Sequence, residues 1–147
     1  MTRGVPANPT VLFVCRHGAA KSVLAVGCLR SLAADRGVQI AGASAGIEPD
    51  DEVSPAVIDV LGGRGRDLAD QKPRRVRPDE LSAARWVITF GLEPGDLPSA
   101  PQHVERWDDI PPVSDDPWAA KDAIERRLGR FLDRFAAAGG TDVGPPR

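Results

Sequence analysis

The chain of 147 residues is predicted to fold as a three-layer α/β/α sandwich around a short parallel sheet of about four strands. Strand and helix signals alternate along the sequence, which is the pattern of a parallel sheet connected and covered by helices. The first strand, Val11–Cys15, is an unbroken apolar run. The length is that of one compact domain, so residues 1–147 are expected to form a single domain with flexible ends at 1–9 and 139–147.

The first helix is predicted over residues 20–35, because Leu24, Cys28 and Leu32 recur every four residues on one face. A cysteine between two leucines on an apolar stripe is typical of a core residue. Cys28 is therefore predicted to be buried, and a redox partnership with Cys15 is the less favoured interpretation.

The other predicted elements, in order, are a strand over 38–44, a helix over 54–61, a polar surface loop over 64–77, a helix over 78–84, strands over 86–90 and 103–107, and a helix from Asp116 to Gly139. The pairs Ser54-Pro55 and Asp116-Pro117 each join a favoured N-cap to a favoured first helical residue. In the last helix, apolar residues at helical spacing form one stripe: Ile124, Leu128, Phe131, Leu132 and Phe135.

Composition excludes several classes of partner and site. A net charge of −2 with both signs evenly spread offers no broad basic face for nucleic acid. The longest apolar run has the length of a strand, so no contact with a membrane is expected and the protein is expected to be cytoplasmic. The two cysteines have no metal-ligand spacing, and we expect neither a metal nor a cofactor.

The most informative segment is the junction between the first strand and the first helix. Cys15 ends the strand, the short loop from Arg16 to Ala20 follows, and Lys21 and Ser22 open the helix. Small residues let the backbone N–H groups curl around one point, and the helix adds its positive N-terminal end. The segment therefore predicts an oxyanion site. The amide dipoles and Lys21 favour the thiolate of Cys15, which is the nucleophilic form.

The spacing of a cysteine, five residues, a cation and a hydroxyl resembles the phosphate loop of the low-molecular-weight protein tyrosine phosphatases and of the arsenate reductases that share their fold. The resemblance extends from Val11 to Phe135 and includes Ser44-Ala45-Gly46 after the second strand. Three positions depart from the pattern of these families: Lys21 replaces an arginine, Gly18 an asparagine and Val26 a glutamate.

The resemblance implies a role for each residue of the predicted site. Cys15 is the nucleophile, Ser22 hydrogen-bonds its sulfur, and Asp116 is the general acid, with Asp115 as the alternative. Trp118 lines the mouth of the site. The predicted phosphate-binding residues are Arg16, His17, Gly18, Ala19, Ala20 and Lys21.

The resemblance implies hydrolysis of a phosphomonoester, from a phosphotyrosine protein or a small phosphoester, through a phosphocysteine intermediate. Two alternatives stay open. One is arsenate reduction with a small external thiol, and the other is a non-catalytic phosphate or phosphoprotein binder, because lysine provides one charge where arginine provides a planar fork. A further hypothesis is that Arg74, Arg75 and Arg77 attract an acidic substrate or partner.

Overall fold

The computed structural model describes residues 9–137, apart from the side chains of residues 64, 66 and 69. Four parallel strands form one sheet in the order β2-β1-β3-β4. These strands are β1 (Thr10–Cys15), β2 (Ala41–Gly46), β3 (Trp86–Thr89) and β4 (Val104–Arg106).

Within residues 9–137, five α-helices connect and cover the strands: α1 (Lys21–Arg36), α2 (Pro55–Leu61), α3 (Arg66–Ala69), α4 (Pro78–Ala83) and α5 (Pro117–Ala137). Two short 3₁₀ turns occupy Gly62–Gly65 and Pro94–Asp96. Helix α1 ends at Gly37, whose φ of 67° lies in the left-handed region that glycine enters without steric cost.

Buried apolar side chains form two clusters, one on each face of the sheet. Phe13 and Ile88 pack with residues of α1, α2 and α5 in the larger cluster. On the other face, Leu12, Val14 and Val87 pack with Leu81 of α4. Alternation of side chains along each strand produces the two faces. The predicted three-layer α/β/α sandwich with four parallel strands is therefore confirmed.

The second strand lies two to three residues later than predicted, at Ala41–Gly46 instead of 38–44. Its position is set by pairing with β1, since Thr10 aligns with Ala41 and Cys15 with Gly46. The ladder reaches back to Pro9, whose carbonyl oxygen accepts a hydrogen bond from Ala41 N–H at 2.9 Å. The prediction that Pro9 belongs to a flexible end is therefore wrong, because its carbonyl group is held by β2. The other residues predicted as flexible ends, 1–8 and 139–147, lie outside the described residues.

The segment predicted as a surface loop over residues 64–77 is more ordered than its polarity indicates. The chain passes Gly62 and Gly63 in a 3₁₀ turn, forms the short helix α3, and then pairs as an isolated bridge between Gly46 and Arg75. Leu68 and Val76 are buried at the two ends of this region. Two apolar anchors among the arginines and aspartates therefore fold the segment against the core.

The remaining predicted elements agree with the structure to within one or two residues at the ends that the structure describes. None of the helices in residues 9–137 combines the length and apolarity needed to cross a membrane. Strand β1 is central, with β2 on one side and β3 on the other. Ligand sites of open parallel sheets lie where the strand order reverses, at the carboxyl ends of the strands. Cys15 occupies that position.

Candidate active site

Cys15 lies at the floor of a cavity of about 460 Å³ at the carboxyl end of β1. The residue is 7% exposed, so its thiol is reachable from the cavity alone. Its Sγ lies 3.1 Å from Oγ of Ser22, a fully buried residue in the first turn of α1. The thiol donates this hydrogen bond, whereas the hydroxyl donates it once the sulfur is a thiolate. The predicted contact between these two side chains is therefore present.

The carbonyl groups of the loop after Cys15 are bound by a neighbouring segment of the chain. Three of its carbonyl oxygens accept hydrogen bonds from the segment that follows β2: Arg16 from Glu48 at 2.7 Å, His17 from Asp50 at 3.0 Å, and Ala19 from Ser54 at 2.8 Å. These bonds fix the direction of each carbonyl. In a trans peptide the N–H points opposite to the carbonyl, so the N–H groups of His17, Gly18 and Ala20 point away from the segment that follows β2.

The N–H groups of the same loop have no acceptor within residues 9–137. From Arg16 to Val23, no backbone N–H donates a hydrogen bond to another described residue. The N-cap residue of helix α1, Ala20, provides no side-chain hydrogen bond, so the N–H donors of the first turn have no acceptor among the described residues either. A row of unpaired amides at a helix N-terminus is a binding site for an oxyanion.

The curvature of the loop depends on close contact between two glycines. Gly18 has a φ of 61°, and a Cβ built on it would lie 2.9 Å from the nitrogen of Gly46. The reverse contact is closer, because a Cβ on Gly46 would lie 2.6 Å from the nitrogen of Gly18. Although asparagine tolerates the left-handed region, its Cβ would meet the backbone of β2 here. The glycine that departs from the phosphatase pattern therefore has a local steric reason.

Lys21 is half-buried and lines the cavity beside Cys15. Its ammonium forms no hydrogen bond or ion pair with any residue that the structure describes. The other cation of the loop is already paired, since Arg16 contacts Glu48 at 3.5 Å and Asp96 at 3.4 Å. Lys21 is thus the loop side chain whose charge is available to an oxyanion.

The His17 ring faces the segment after β2. Its Nδ1 lies 3.2 Å from the carbonyl oxygen of Glu48 and 3.4 Å from a carboxylate oxygen of Asp50. The side chain is more than half exposed, at the edge of the cavity. The ring therefore contacts an acidic rim, and its contribution to oxyanion binding stays a prediction.

The apolar wall of the cavity was not found in the sequence. Phe90 follows β3, and Val113 belongs to the loop before α5. Both line the cavity and both are buried. Phe90 stacks behind the site on Phe13 at 6.2 Å and meets Trp107 edge-on at 5.9 Å. The sequence offers little to distinguish these two residues, because each has the pattern of an ordinary core residue, and only the folded sheet places them beside Cys15.

Asp116 lies in the loop before α5 and is exposed. Its Oδ1 accepts a hydrogen bond from Ala119 N–H at 3.0 Å, so the predicted role as N-cap is confirmed. Ser114, two residues earlier, lines the cavity, whereas Asp115, Asp116 and Trp118 do not. Trp118 is 63% exposed. The loop reaches the site, and the predicted catalytic role of Asp116 is not tested by this geometry.

The arginines after α3 have partners of their own. Arg74 pairs with Glu80, Arg77 pairs with Asp79, and Arg75 donates to the carbonyl oxygen of Ile47 at 2.8 Å. None of these arginines lines the cavity of Cys15. The positions of Arg74, Arg75 and Arg77 therefore do not support the hypothesis that they attract an acidic substrate.

Cys28 is buried as predicted, at 2% exposure, and both cysteines are free thiols. Burial raises the pKa of the Cys28 thiol from 9.0 to about 12, and the nearby charge of Glu125 acts in the same direction. A thiol held in its protonated form is a poor nucleophile. In the described part of the chain, no group of three or more His, Cys, Asp or Glu side chains is placed to hold a metal ion.

Comparison with known proteins identifies the family. The sequence model of the low molecular weight phosphotyrosine protein phosphatases matches residues 10–104, well over half of the chain. The chain belongs to this family. The matched region contains the loop from Cys15 to Ser22 and both glycines that shape it.

One curated relative of this chain is a protein of Halobacterium salinarum named "Putative arsenate reductase". The two sequences are 32% identical over 98 residues. That alignment covers 61% of this chain and 66% of the relative. The relatives of this chain thus include a protein with an arsenate-reductase name.

Solved structures agree on the fold. A thioredoxin-dependent arsenate reductase of Corynebacterium glutamicum superposes with a TM-score of 0.74 at 26% identity, covering 90% of this chain and 64% of that protein. YfkJ of Bacillus subtilis gives a TM-score of 0.77 at 22% identity, covering 92% and 99%. The chain therefore spans slightly less than two thirds of the length of both arsenate-reductase relatives, and nearly all of YfkJ.

Proposed function

We propose that this member of the phosphatase family hydrolyses phosphomonoesters through a phosphocysteine intermediate. The observation that carries the proposal is the row of N–H groups from Arg16 to Val23, directly after Cys15, that have no acceptor among residues 9–137. Such a cradle stabilises the equatorial oxygens of a phosphoryl group while the thiolate attacks phosphorus. Family membership supports the same chemistry.

In the first step, the Cys15 thiolate forms a bond to phosphorus as the ester oxygen leaves. Asp116 is proposed to donate a proton to that oxygen, which turns a poor leaving group into an alcohol. In the second step, water attacks the phosphocysteine, Asp116 accepts a proton, and inorganic phosphate departs. The Ser22 hydroxyl, whose Oγ lies 3.1 Å from Sγ in the free protein, donates a hydrogen bond to the thiolate as it leaves and stabilises it.

Lys21 supplies the one charge among the loop side chains that pairs with no residue in the described range 9–137. A lysine ammonium is a compact charge on a flexible stem, whereas arginine holds two oxygens in a planar fork. We therefore expect slow turnover of a simple aryl phosphate and faster turnover in Lys21→Arg. The apolar wall at Phe90 and Val113 favours an aryl or alkyl leaving group over a sugar.

The test is hydrolysis of para-nitrophenyl phosphate by the native protein and its variants. Cys15→Ser should abolish activity, and Ser22→Ala should retain the burst of nitrophenol while slowing the steady state. Lys121→Arg is the matched control for Lys21→Arg, because Lys121 pairs with Glu125 on α5 and does not line the cavity. Residual activity of Cys15→Ser equal to that of the native protein would contradict the phosphocysteine mechanism.

Arsenate reduction is the second candidate, since two relatives carry that name. In this chemistry, arsenate condenses with the Cys15 thiol and releases water. An external thiol then attacks the sulfur, which yields arsenite and a mixed disulfide. Cys28 is buried and protonated, and the chain has two cysteines, so the second thiol has to come from outside. The proposal is consequently a reduction supported by a small thiol.

Arsenite formation with glutathione distinguishes the two reactions. Arsenite produced by the native protein but not by Cys15→Ser, together with no hydrolysis of aryl phosphate, would favour reduction. Binding of phosphate or arsenate without turnover in any variant would instead identify an oxyanion-binding relative.

A further inference from the structure

The lining of the Cys15 cavity carries titratable groups of both signs. Those among the described residues are Arg16, His17, Lys21 and Asp50. Asp50 lies in the segment after β2 and provides the one carboxylate among the described residues that line the cavity. The parts of the wall formed by residues 90–91 and 112–114 are uncharged. The electrostatic preference of the site for a substrate therefore depends on the state of these four side chains.

The two permanent cations of the lining have partners once a phosphoryl group is bound. Arg16 contacts carboxylate oxygens of Glu48 at 3.5 Å and Asp96 at 3.4 Å. Lys21 has no ionic partner within residues 9–137, and its charge is the one available to the phosphoryl oxygens. A second charged group on the substrate would consequently meet the negative charge of Asp50.

Asp50 is open to a ligand in the cavity, since its side chain is 55% exposed. One carboxylate oxygen lies 3.4 Å from Nδ1 of His17, and the same nitrogen lies 3.2 Å from the carbonyl oxygen of Glu48. A neutral imidazole leaves the charge of the carboxylate uncompensated. The next residues, Asp51 and Glu52, are exposed and form no ion pair with the described part of the chain. The electrostatic potential on this side of the mouth is therefore negative.

We propose that the site selects a phosphorylated residue with a positive charge beside it, and that Asp50 is the specificity-determining residue that binds this charge. The inference rests on the phosphatase activity proposed above and names the class of substrate: a basic phosphopeptide. The phosphoryl oxygens occupy the loop amides and contact Lys21, while the flanking cation pairs with the Asp50 carboxylate. An acidic flanking residue meets the same carboxylate and is repelled.

The size of the preference follows from the exposure of the pair. An ion pair exposed to solvent changes an equilibrium constant by up to about fivefold. A basic peptide should thus be preferred over a neutral one by about three- to fivefold, and repulsion should disfavour an acidic peptide by a similar factor. The pair is present before the transition state as well as in it, so the preference should affect KM and leave kcat unchanged. Salt should reduce the preference by screening the charges.

The test is hydrolysis of three phosphotyrosine peptides by the native protein, with lysine, glutamine or glutamate on both sides of the phosphotyrosine. The leaving group is the same in all three, so their intrinsic reactivities are matched. We expect kcat/KM to fall in the order lysine, glutamine, glutamate, and the differences to shrink in about 0.5 M salt. Equal values for the three peptides would overturn the inference and leave the phosphatase activity in place. Hydrolysis of none of them would contradict the proposed activity, and the affinities of the three peptides for Cys15→Ser would then decide the selection by charge without turnover.

Two variants assign the selection to one carboxylate. Asp50→Asn removes the charge and keeps the backbone N–H that donates to the carbonyl oxygen of His17 at 3.0 Å, so it should bring the ratio of KM for the lysine and glutamine peptides to about one. Asp79→Asn is the matched control, because Asp79 pairs with Arg77 and does not line the cavity. It removes the same net charge and should keep the native preference. A lysine preference that survives in Asp50→Asn, or an equal loss of preference in both variants, would refute the role of Asp50.

Discussion

Replacing Gly46 with alanine tests whether the contact between two glycines shapes the oxyanion site. The new Cβ would lie 2.6 Å from the nitrogen of Gly18 and 2.8 Å from the carbonyl carbon of His17. Ordinary contact begins near 3.4 Å, so one backbone has to move by about 0.8 Å. Both neighbours are backbone atoms, and neither can rotate away as a side chain would. The phosphate loop therefore has to shift relative to β2.

A displacement of this size has a calculable effect on the site. Misplacement of catalytic groups by about 1 Å costs about 100-fold in rate, and overpacking costs about 1–3 kcal/mol of stability. The measurements are hydrolysis of para-nitrophenyl phosphate, thermal unfolding, and protection of Cys15 from iodoacetamide by inorganic phosphate. The last assay needs no turnover, so it reports the geometry of the loop even in an inactive protein.

Gly37→Ala is the matched control. Gly37 has a φ of 67°, so alanine there pays the left-handed strain of about 1–2 kcal/mol, but its Cβ would meet no atom within 4 Å. It lies at the far end of α1, about 24 Å along the helix from the cavity. We expect a comparable loss of stability with unchanged phosphate protection. Native protection and rate in Gly46→Ala would refute the assignment of loop shape to the glycine contact.

Three further predictions concern the acid loop, the core and the buried thiol. Asp116→Ala removes the N-cap of α5 and should lower the free energy of unfolding by about 1 kcal/mol. Asp116→Asn should keep the cap, but its hydrolysis rate should fall by about 10²–10⁴-fold if the carboxyl group is the general acid. Unfolding curves and steady-state rates separate the two effects. Leu128→Ala, in the fully buried stripe of α5, should cost about 2–5 kcal/mol in urea unfolding, while the exposed Arg126→Ala should stay within about 0.5 kcal/mol. Above pH 9.0 the Cys28 thiol loses its proton in the unfolded state, whereas the folded state keeps it until about pH 12, so Cys28 lowers the stability of the fold as the pH rises through that window. Cys28→Ala should flatten the plot of stability against pH over this range. An equally steep fall in the variant would contradict the assignment.

Local sequence patterns predicted correctly the elements whose structure depends mainly on residues close to them in the chain. The unbroken apolar run before Cys15 predicted a central strand, and β1 is paired on both sides. The apolar stripe of α5 predicted its buried face, and the Asp116-Pro117 pair predicted its start. Cys28 was assigned to the core by its leucine neighbours, and it is buried. Hydrophobic periodicity carries this information because each element has to bury one face.

Long-range pairing decided the features that the sequence did not show. The segment over residues 64–77 looked like a loop because its composition is polar, yet two buried side chains and a bridge to Gly46 order it. Arg16 pairs with Asp96, which lies 80 positions later in the chain, and no local pattern indicates this contact. Such contacts follow from the order and register of parallel strands, and these are properties of the whole sheet.

The sequence by itself determined that a cysteine ends a strand, that a small-residue loop follows, and that a lysine and a serine open the next helix, because chain neighbours stay neighbours in any fold. Only the tertiary structure decided which way the loop faces. The N–H groups of the segment after β2 bind the loop carbonyls, and the backbone of Gly46, the last residue of β2, lies against Gly18, so the loop is held in one orientation. The amides of the loop after Cys15 have no acceptor in the described part of the chain because β2 lies beside β1 and holds the loop in this orientation, and that adjacency is set by burial of the whole sheet.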